Sequence, residues 1–117
     1  MLKIYHNPRC RKSREAVDLL DTTQVEYEVV LYLKTPPTPE ELQKLLSLLN
    51  MSPIDLVRKQ ESIWKEEYKG REWTDDQLVQ ILCDNPKLIE RPIIFDEQVA
   101  VVGRPIENLT ELLNQLS

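Results

Sequence analysis

The chain has 117 residues, with 20 acidic side chains against 15 basic ones, a net charge of −5, two cysteines and one histidine. That length suits one domain with a single sizeable core, and no apolar run is long enough to cross a bilayer. The acidity argues against nucleic-acid binding, which needs a broad basic surface. No signal peptide is expected ahead of the first strand, and two cysteines are too few for a disulfide scaffold, so a reducing cytoplasmic setting is expected. A zinc site would need more ligands than one histidine and two cysteines supply, so no metal is expected.

In chain order, Leu2 to Tyr5 reads as a short strand that breaks at Asn7-Pro8. Pro8 keeps Asn7 away from helical geometry. Ala16, Val17, Leu19 and Leu20 then form an apolar stripe that predicts a helix from about Arg11 to Leu20. Cys10 therefore falls in a strand-to-helix turn at the positive end of a helix. There, and beside cations, the pKa of about 8.5 of a free thiol is lowered toward the nucleophilic thiolate. Arg9, Arg11, Lys12 and Arg14 crowd this helix start, opposed locally by Glu15 alone. Water-screened surface cations are one reading. A thiolate site for an anion is the favoured one, because the helix dipole disfavours cations here and the group sits beside a cysteine.

Val25 to Leu33 is rich in Val, Tyr and Leu and predicts a second strand, parallel to the first in a right-handed βαβ unit. A proline-rich connector ends in Thr38, Pro39 and Glu41, a capped helix start, and Leu42, Leu45, Leu46 and Leu49 line one face beyond it. Ser52-Pro53-Ile54-Asp55 opens a short helix through Val57 that carries Arg58. Ile63 to Tyr68 is helical, ended by Gly70. Thr74-Asp75-Asp76-Gln77 is a second capping box, opening a helix to about Cys83. This stretch, about 38–90, is a helical insertion within a single domain spanning 1–117. Cys83 lies among Leu78, Val79, Ile81 and Leu82 and reads as a buried structural cysteine.

Arg91-Pro92-Ile93-Ile94-Phe95 as a short strand, the turn Asp96-Glu97-Gln98 and Val99 to Val102 predict a hairpin. Ile106, Leu109, Leu112, Leu113 and Leu116 predict a closing amphipathic helix, with Pro105 in its first turn. In an antiparallel hairpin the start of the first strand lies beside the end of the second. Arg91, just before the first, and Arg104, just after the second, are therefore expected at one end, where Gly103 lets the backbone turn or approach a ligand closely. The planar guanidinium fork suits tetrahedral oxyanions, although each arginine alone is equally readable as a surface ion pair.

Tyr5-His6-Asn7-Pro8-Arg9-Cys10 with Ser13-Arg14, Leu56-Val57-Arg58-Lys59, Thr74-Asp75-Asp76-Gln77-Leu78, Arg91-Pro92-Ile93 and Gly103-Arg104-Pro105 together resemble the ArsC-type arsenate reductases, the thioredoxin-like, glutaredoxin-coupled family. The resemblance runs over nearly the whole chain. It implies an α/β, thioredoxin-like (glutaredoxin-like) fold: a small mixed four-stranded sheet, β-α-β then β-β-α, with the helical insertion between its halves. It implies a structural Pro92 behind a cis Arg91–Pro92 bond. It also implies that Cys10, Arg91 and Arg104 converge, with Arg58 supplied by the insertion.

In the mechanism so implied, Cys10 attacks the arsenic of arsenate while Arg58, Arg91 and Arg104 hold its oxygens. His6, Asn7, Ser13 and Arg14, with the helix start, are the candidates for stabilising the thiolate, and for His6 a hydrogen bond that positions the turn is an equal reading. Glutathione, as co-substrate, attacks the adduct, and a glutaredoxin resets the thiol. No bound cofactor, metal or nucleotide is called for, nor a membrane, and a monomer suffices. A dithiol oxidoreductase would carry a second cysteine at position 13, where this chain has serine, so an external thiol must finish the cycle. Arg9 and Arg11 depart from the family pattern, standing where smaller residues are expected. Two other functions remain open. One is a glutathione-dependent thiol reductase whose arginines hold carboxylates. The other is a redox regulator resembling Spx that binds RNA polymerase, although Ser13 removes the two-cysteine switch such regulators often carry.

Overall fold

The computed structural model describes residues 1–116. Four strands, β1 (Leu2–Tyr5), β2 (Tyr27–Val30), β3 (Ile93–Phe95) and β4 (Ala100–Val102), form one sheet in the order β2-β1-β3-β4. The principal helices are α1 (Arg11–Asp21), α2 (Pro39–Leu49), α3 (Asp75–Asp84) and α4 (Glu107–Leu116). Contacts divide the chain into two compact units, 1–35 together with the chain from 91 onward, and 36–90. No helix among the described residues is long and apolar enough to cross a membrane.

The first unit contains the sheet. β1 runs parallel to β2, with Leu2 opposite Tyr27 and Tyr5 opposite Val30, and antiparallel to β3, with Ile4 opposite Ile94. β3 and β4 form the expected hairpin, pairing Ile93 with Val102. Leu2, Ile4 and Ile94 put one sheet face against Ala16 and Leu20 of α1 and Leu109 and Leu112 of α4. Alternation on the strands and helical spacing on α1 and α4 thus meet in one cluster, with Ile4, Ala16, Leu20, Ile94 and Leu109 fully buried. On β1, Tyr5 stacks on Tyr32, centroids 5.6 Å apart, and meets Phe95 edge-on at 5.0 Å.

β2 is shorter than its apolar sequence predicts. After Val30 the chain turns, with Lys34 and Thr35 both donating backbone bonds to the Leu31 carbonyl. The turn buries Tyr32 completely, while Leu31 and Leu33 remain exposed at the sheet edge. α4 likewise starts two residues beyond Pro105, and Leu116 of its predicted stripe is exposed.

The second unit is helical. Thr38 and Thr74 each accept from the third residue of the helix they cap, and Glu41 and Gln77 return the bond, so both capping boxes form as the sequence indicates. The Ser52-Pro53 start yields a 3₁₀ turn, Pro53–Leu56, that stops before Arg58. Trp64–Tyr68 forms one π turn, closed by the Lys69 amide on the Trp64 carbonyl and followed by Gly70 at φ +85°.

The Gly103 amide donates to the Pro92 carbonyl at 2.8 Å, locking the end of the hairpin. A Cβ on Gly103 would lie 3.0 Å from both Ile94 Cδ1 and Pro92 Cγ. The glycine therefore serves close packing against the neighbouring strand. Gly103→Ala is expected to destabilise the fold by about 1–3 kcal/mol through overpacking, read as a lowered midpoint in urea unfolding.

Candidate active site around Cys10

The turn between β1 and α1 is built from its own side chains. The Cys10 amide donates to the Asn7 carbonyl at 2.9 Å, and the Arg9 amide to Asn7 Oδ1 at 3.1 Å. Ser13 is completely buried; its Oγ accepts from the Asn7 amide at 3.0 Å and lies 2.6 Å from His6 Nδ1. The exposed Arg14 donates from Nη1 to the Pro8 carbonyl at 3.0 Å. His6, Asn7, Ser13 and Arg14 thus act on the shape of the turn. Burial, and next the Arg14 charge, hold the His6 pKa below its ordinary 6.5. At neutral pH the ring is predominantly uncharged, and Nδ1 can accept a hydrogen bond from the Ser13 hydroxyl.

Cys10 is the residue that caps α1, with extended backbone angles (φ −93°, ψ 121°). Its thiol makes no full capping hydrogen bond, yet the first-turn amides favour its ionised form. Burial raises the thiol pKa. The Ser13 amide, the Arg91 guanidinium and the Lys12 amide outweigh that, and the net shift is downward from 9.0. Arg104 Nη2 lies 3.6 Å from Cys10 Sγ. The half-buried sulfur is thus flanked by the two arginines of the hairpin end and by the positive pole of α1. The Arg91–Pro92 bond is cis, as the resemblance implied; Arg104–Pro105 is also cis, which nothing in the sequence indicated.

Arg58 belongs to the second unit. Its Nη1 lies 3.0 Å from Glu90 Oε1 and its Nε 3.4 Å from Glu61 Oε2, with the side chain 11 % exposed. The i,i+3 spacing of Glu61 was readable from sequence; the partnership with Glu90 depends on the bridge between Val57 and Ile89 and was not. The expected helix start supplies its Ser13 and Lys12 amides to the thiol; which of the first-turn amides do so carries no residue signature. Cys83 is buried on α3, where burial, followed by Asp84, Glu40 and Glu41, pushes its thiol up to about 11. No group of three or more side chains able to hold a metal occurs among the described residues.

A sheet of order β2-β1-β3-β4 with a lone cysteine at the α1 start, and a cis-proline where β3 begins, defines a thioredoxin-like protein with one thiol at that turn. The chain belongs to the ArsC family, whose profile matches residues 5–112. It is 46 % identical to the uncharacterized protein YfgD of Escherichia coli K12 over 96 % of each chain. It is 40 % identical to an arsenate reductase of Neisseria meningitidis, covering 96 % of this chain and 97 % of that one. The solved structure of an arsenate reductase from Vibrio cholerae superposes with a TM-score of 0.88 at 39 % identity, covering 94 % of this chain and 95 % of that one.

With both cysteines reduced, iodoacetamide is expected to label Cys10 alone at neutral pH. Its rate–pH curve should have a midpoint below 9.0, and Arg91→Ala should move that midpoint upward. The sign has a stability counterpart. A depressed folded pKa favours the fold fully above the unfolded thiol pKa, and that contribution is lost as the pH falls through the folded value. Ser13→Ala leaves the buried Asn7 amide without its hydroxyl partner and should cost about 1–3 kcal/mol, measured by chemical denaturation.

Proposed function

We propose that the protein reduces arsenate to arsenite through a covalent adduct on Cys10. The observation that carries this reading is the Cys10 sulfur, its pKa lowered, between the Arg104 Nη2 at 3.6 Å and the Arg91 guanidinium. The thiolate attacks arsenic and expels one oxygen as water, leaving a Cys10–arsenic bond. Arg91 and Arg104 hold the remaining oxygens while charge redistributes. Arg58 is the third arginine the resemblance implies; within its own unit it pairs with Glu61 and Glu90.

Glutathione then attacks the adduct. Two thiols give one disulfide, arsenic takes the two electrons and leaves as trivalent arsenite, and Cys10 remains as a mixed disulfide with glutathione. Glutaredoxin accepts that glutathione and restores the thiol. The names of the Neisseria and Vibrio relatives support arsenate as the oxyanion. The reading places the protein in a reducing cytoplasm, working as a monomer without a bound cofactor.

Arsenite production from arsenate with glutathione and glutaredoxin tests this. Cys10→Ser should abolish turnover, and Arg91→Ala or Arg104→Ala should each lower kcat by about 10²–10³, as for loss of one oxyanion donor. A native protein with a reduced Cys10 thiol and no arsenite formed would remove arsenate as the substrate.

A further inference from the structure

The first fourteen residues hold Lys3, Arg9, Arg11, Lys12 and Arg14 and no acid, in a chain whose net charge is −5. Arg9, Arg11, Lys12 and Arg14 are all exposed and surround the turn that carries Cys10. Arg14 is tied to the Pro8 carbonyl, so it shapes the turn. Arg9 has no ion-pair partner among the described residues. Arg11 and Lys12 share a single carboxylate, Glu15, at 3.4 and 3.7 Å. This rim is distinct from Arg91 and Arg104, which meet the sulfur itself.

A small oxyanion is matched by the inner pair and needs no outer rim. The step that does need one is resolution. Ser13 stands where a second thiol would have to be, and Cys83 is buried and disfavoured as a thiolate, so the reducing thiol comes from solution. We propose that Arg9, Arg11 and Lys12 form a steering rim that selects an anionic reductant, a small thiol carrying carboxylates, over neutral or cationic thiols. Glu15 attenuates the rim by occupying two of its three cations. The proposal rests on Cys10 being a thiol resolved from outside, and deepens that reading by assigning the reductant's charge class to named residues.

The test uses exchange without arsenate, so failure of the arsenate assay does not decide it. The native protein is blocked at Cys10 as its methyl disulfide with methyl methanethiosulfonate, and single modification is verified by mass. An incoming thiolate attacks the methyl-bearing sulfur, the S–S bond breaks, and Cys10 departs as the thiolate, the better leaving group because its pKa is lowered. Mercaptosuccinate, a dicarboxylate, is compared with neutral 2-mercaptoethanol. Each rate is expressed per thiolate and divided by its rate with a small methyl disulfide.

Electrostatic focusing of this kind raises on-rates by about 10–10³ at low salt. The dicarboxylate is expected to be favoured at least about tenfold, falling toward equality in 1 M salt, where the screening length is about 3 Å. Arg9→Glu with Arg11→Glu should abolish the preference, and Glu15→Gln should increase it. Equal normalised rates for the two thiols in the native protein at low salt would overturn the proposal. So would a preference that survives the double variant, which would assign the steering to Arg91 and Arg104.

Discussion

The completely buried Ser13 hydroxyl is the interaction on which the site depends. It occupies the third position of α1, where a side chain reaches back over the preceding turn. There it takes the Asn7 amide and the His6 ring at once. Asn7 in turn supplies a carbonyl to the Cys10 amide and a side-chain oxygen to the Arg9 amide. The Cys10, Arg9 and Asn7 amides are thus all engaged within the turn, which holds Cys10 at extended angles at the helix start. The residue that removes a local resolving thiol is therefore also the one that holds the turn rigid.

The second half of the site depends on the hairpin. Arg91 and Arg104 are thirteen positions apart, yet antiparallel pairing brings their ends together, and β3 pairing with β1 carries that end to the Cys10 turn. Gly103 matters here through the missing side chain. Its backbone presses against Pro92 and Ile94, and its amide reaches the Pro92 carbonyl. Asp96 closes the opposite end, accepting from the Gln98 and Val99 amides, which hold its carboxyl below the usual range.

Local signals read well from the sequence, and contacts across long separations read less well. Both capping boxes, α1, α3 and the hairpin follow from spacing and cap chemistry, because the residues involved are neighbours in the chain. β2 ends before its apolar sequence does because Leu31 and Leu33 contribute apolar character without burial; the inward residue is Tyr32, reached by a turn. Pro105 suggested a helix start, but α4 forms only from Glu107. The Arg58–Glu90 pair spans 32 residues, and the bridge of Val57 with Ile89 brings the two together, which no local spacing shows. The nearness of Arg91 and Arg104 was legible from topology, whereas the Lys12 and Ser13 amides that favour the thiolate carry no side-chain signature.

Two layers of positive charge at one end of an acidic protein need separate physical explanations. The inner layer, Arg91 and Arg104 with the α1 amides, stabilises a sulfur anion at contact distance, and its effect is little screened because the sulfur is half-buried. The outer layer lies in water, where an exposed pair contributes little to stability and the first turn of a helix disfavours cations. The outer cations gain little in folding energetics: they stand near the positive pole of α1, and Glu15 offsets only Arg11 and Lys12. What an exposed cation layer does well is act at a distance on a charged species approaching through solvent. The order of the two layers, contact charge inside and steering charge outside, matches an encounter followed by a reaction at sulfur.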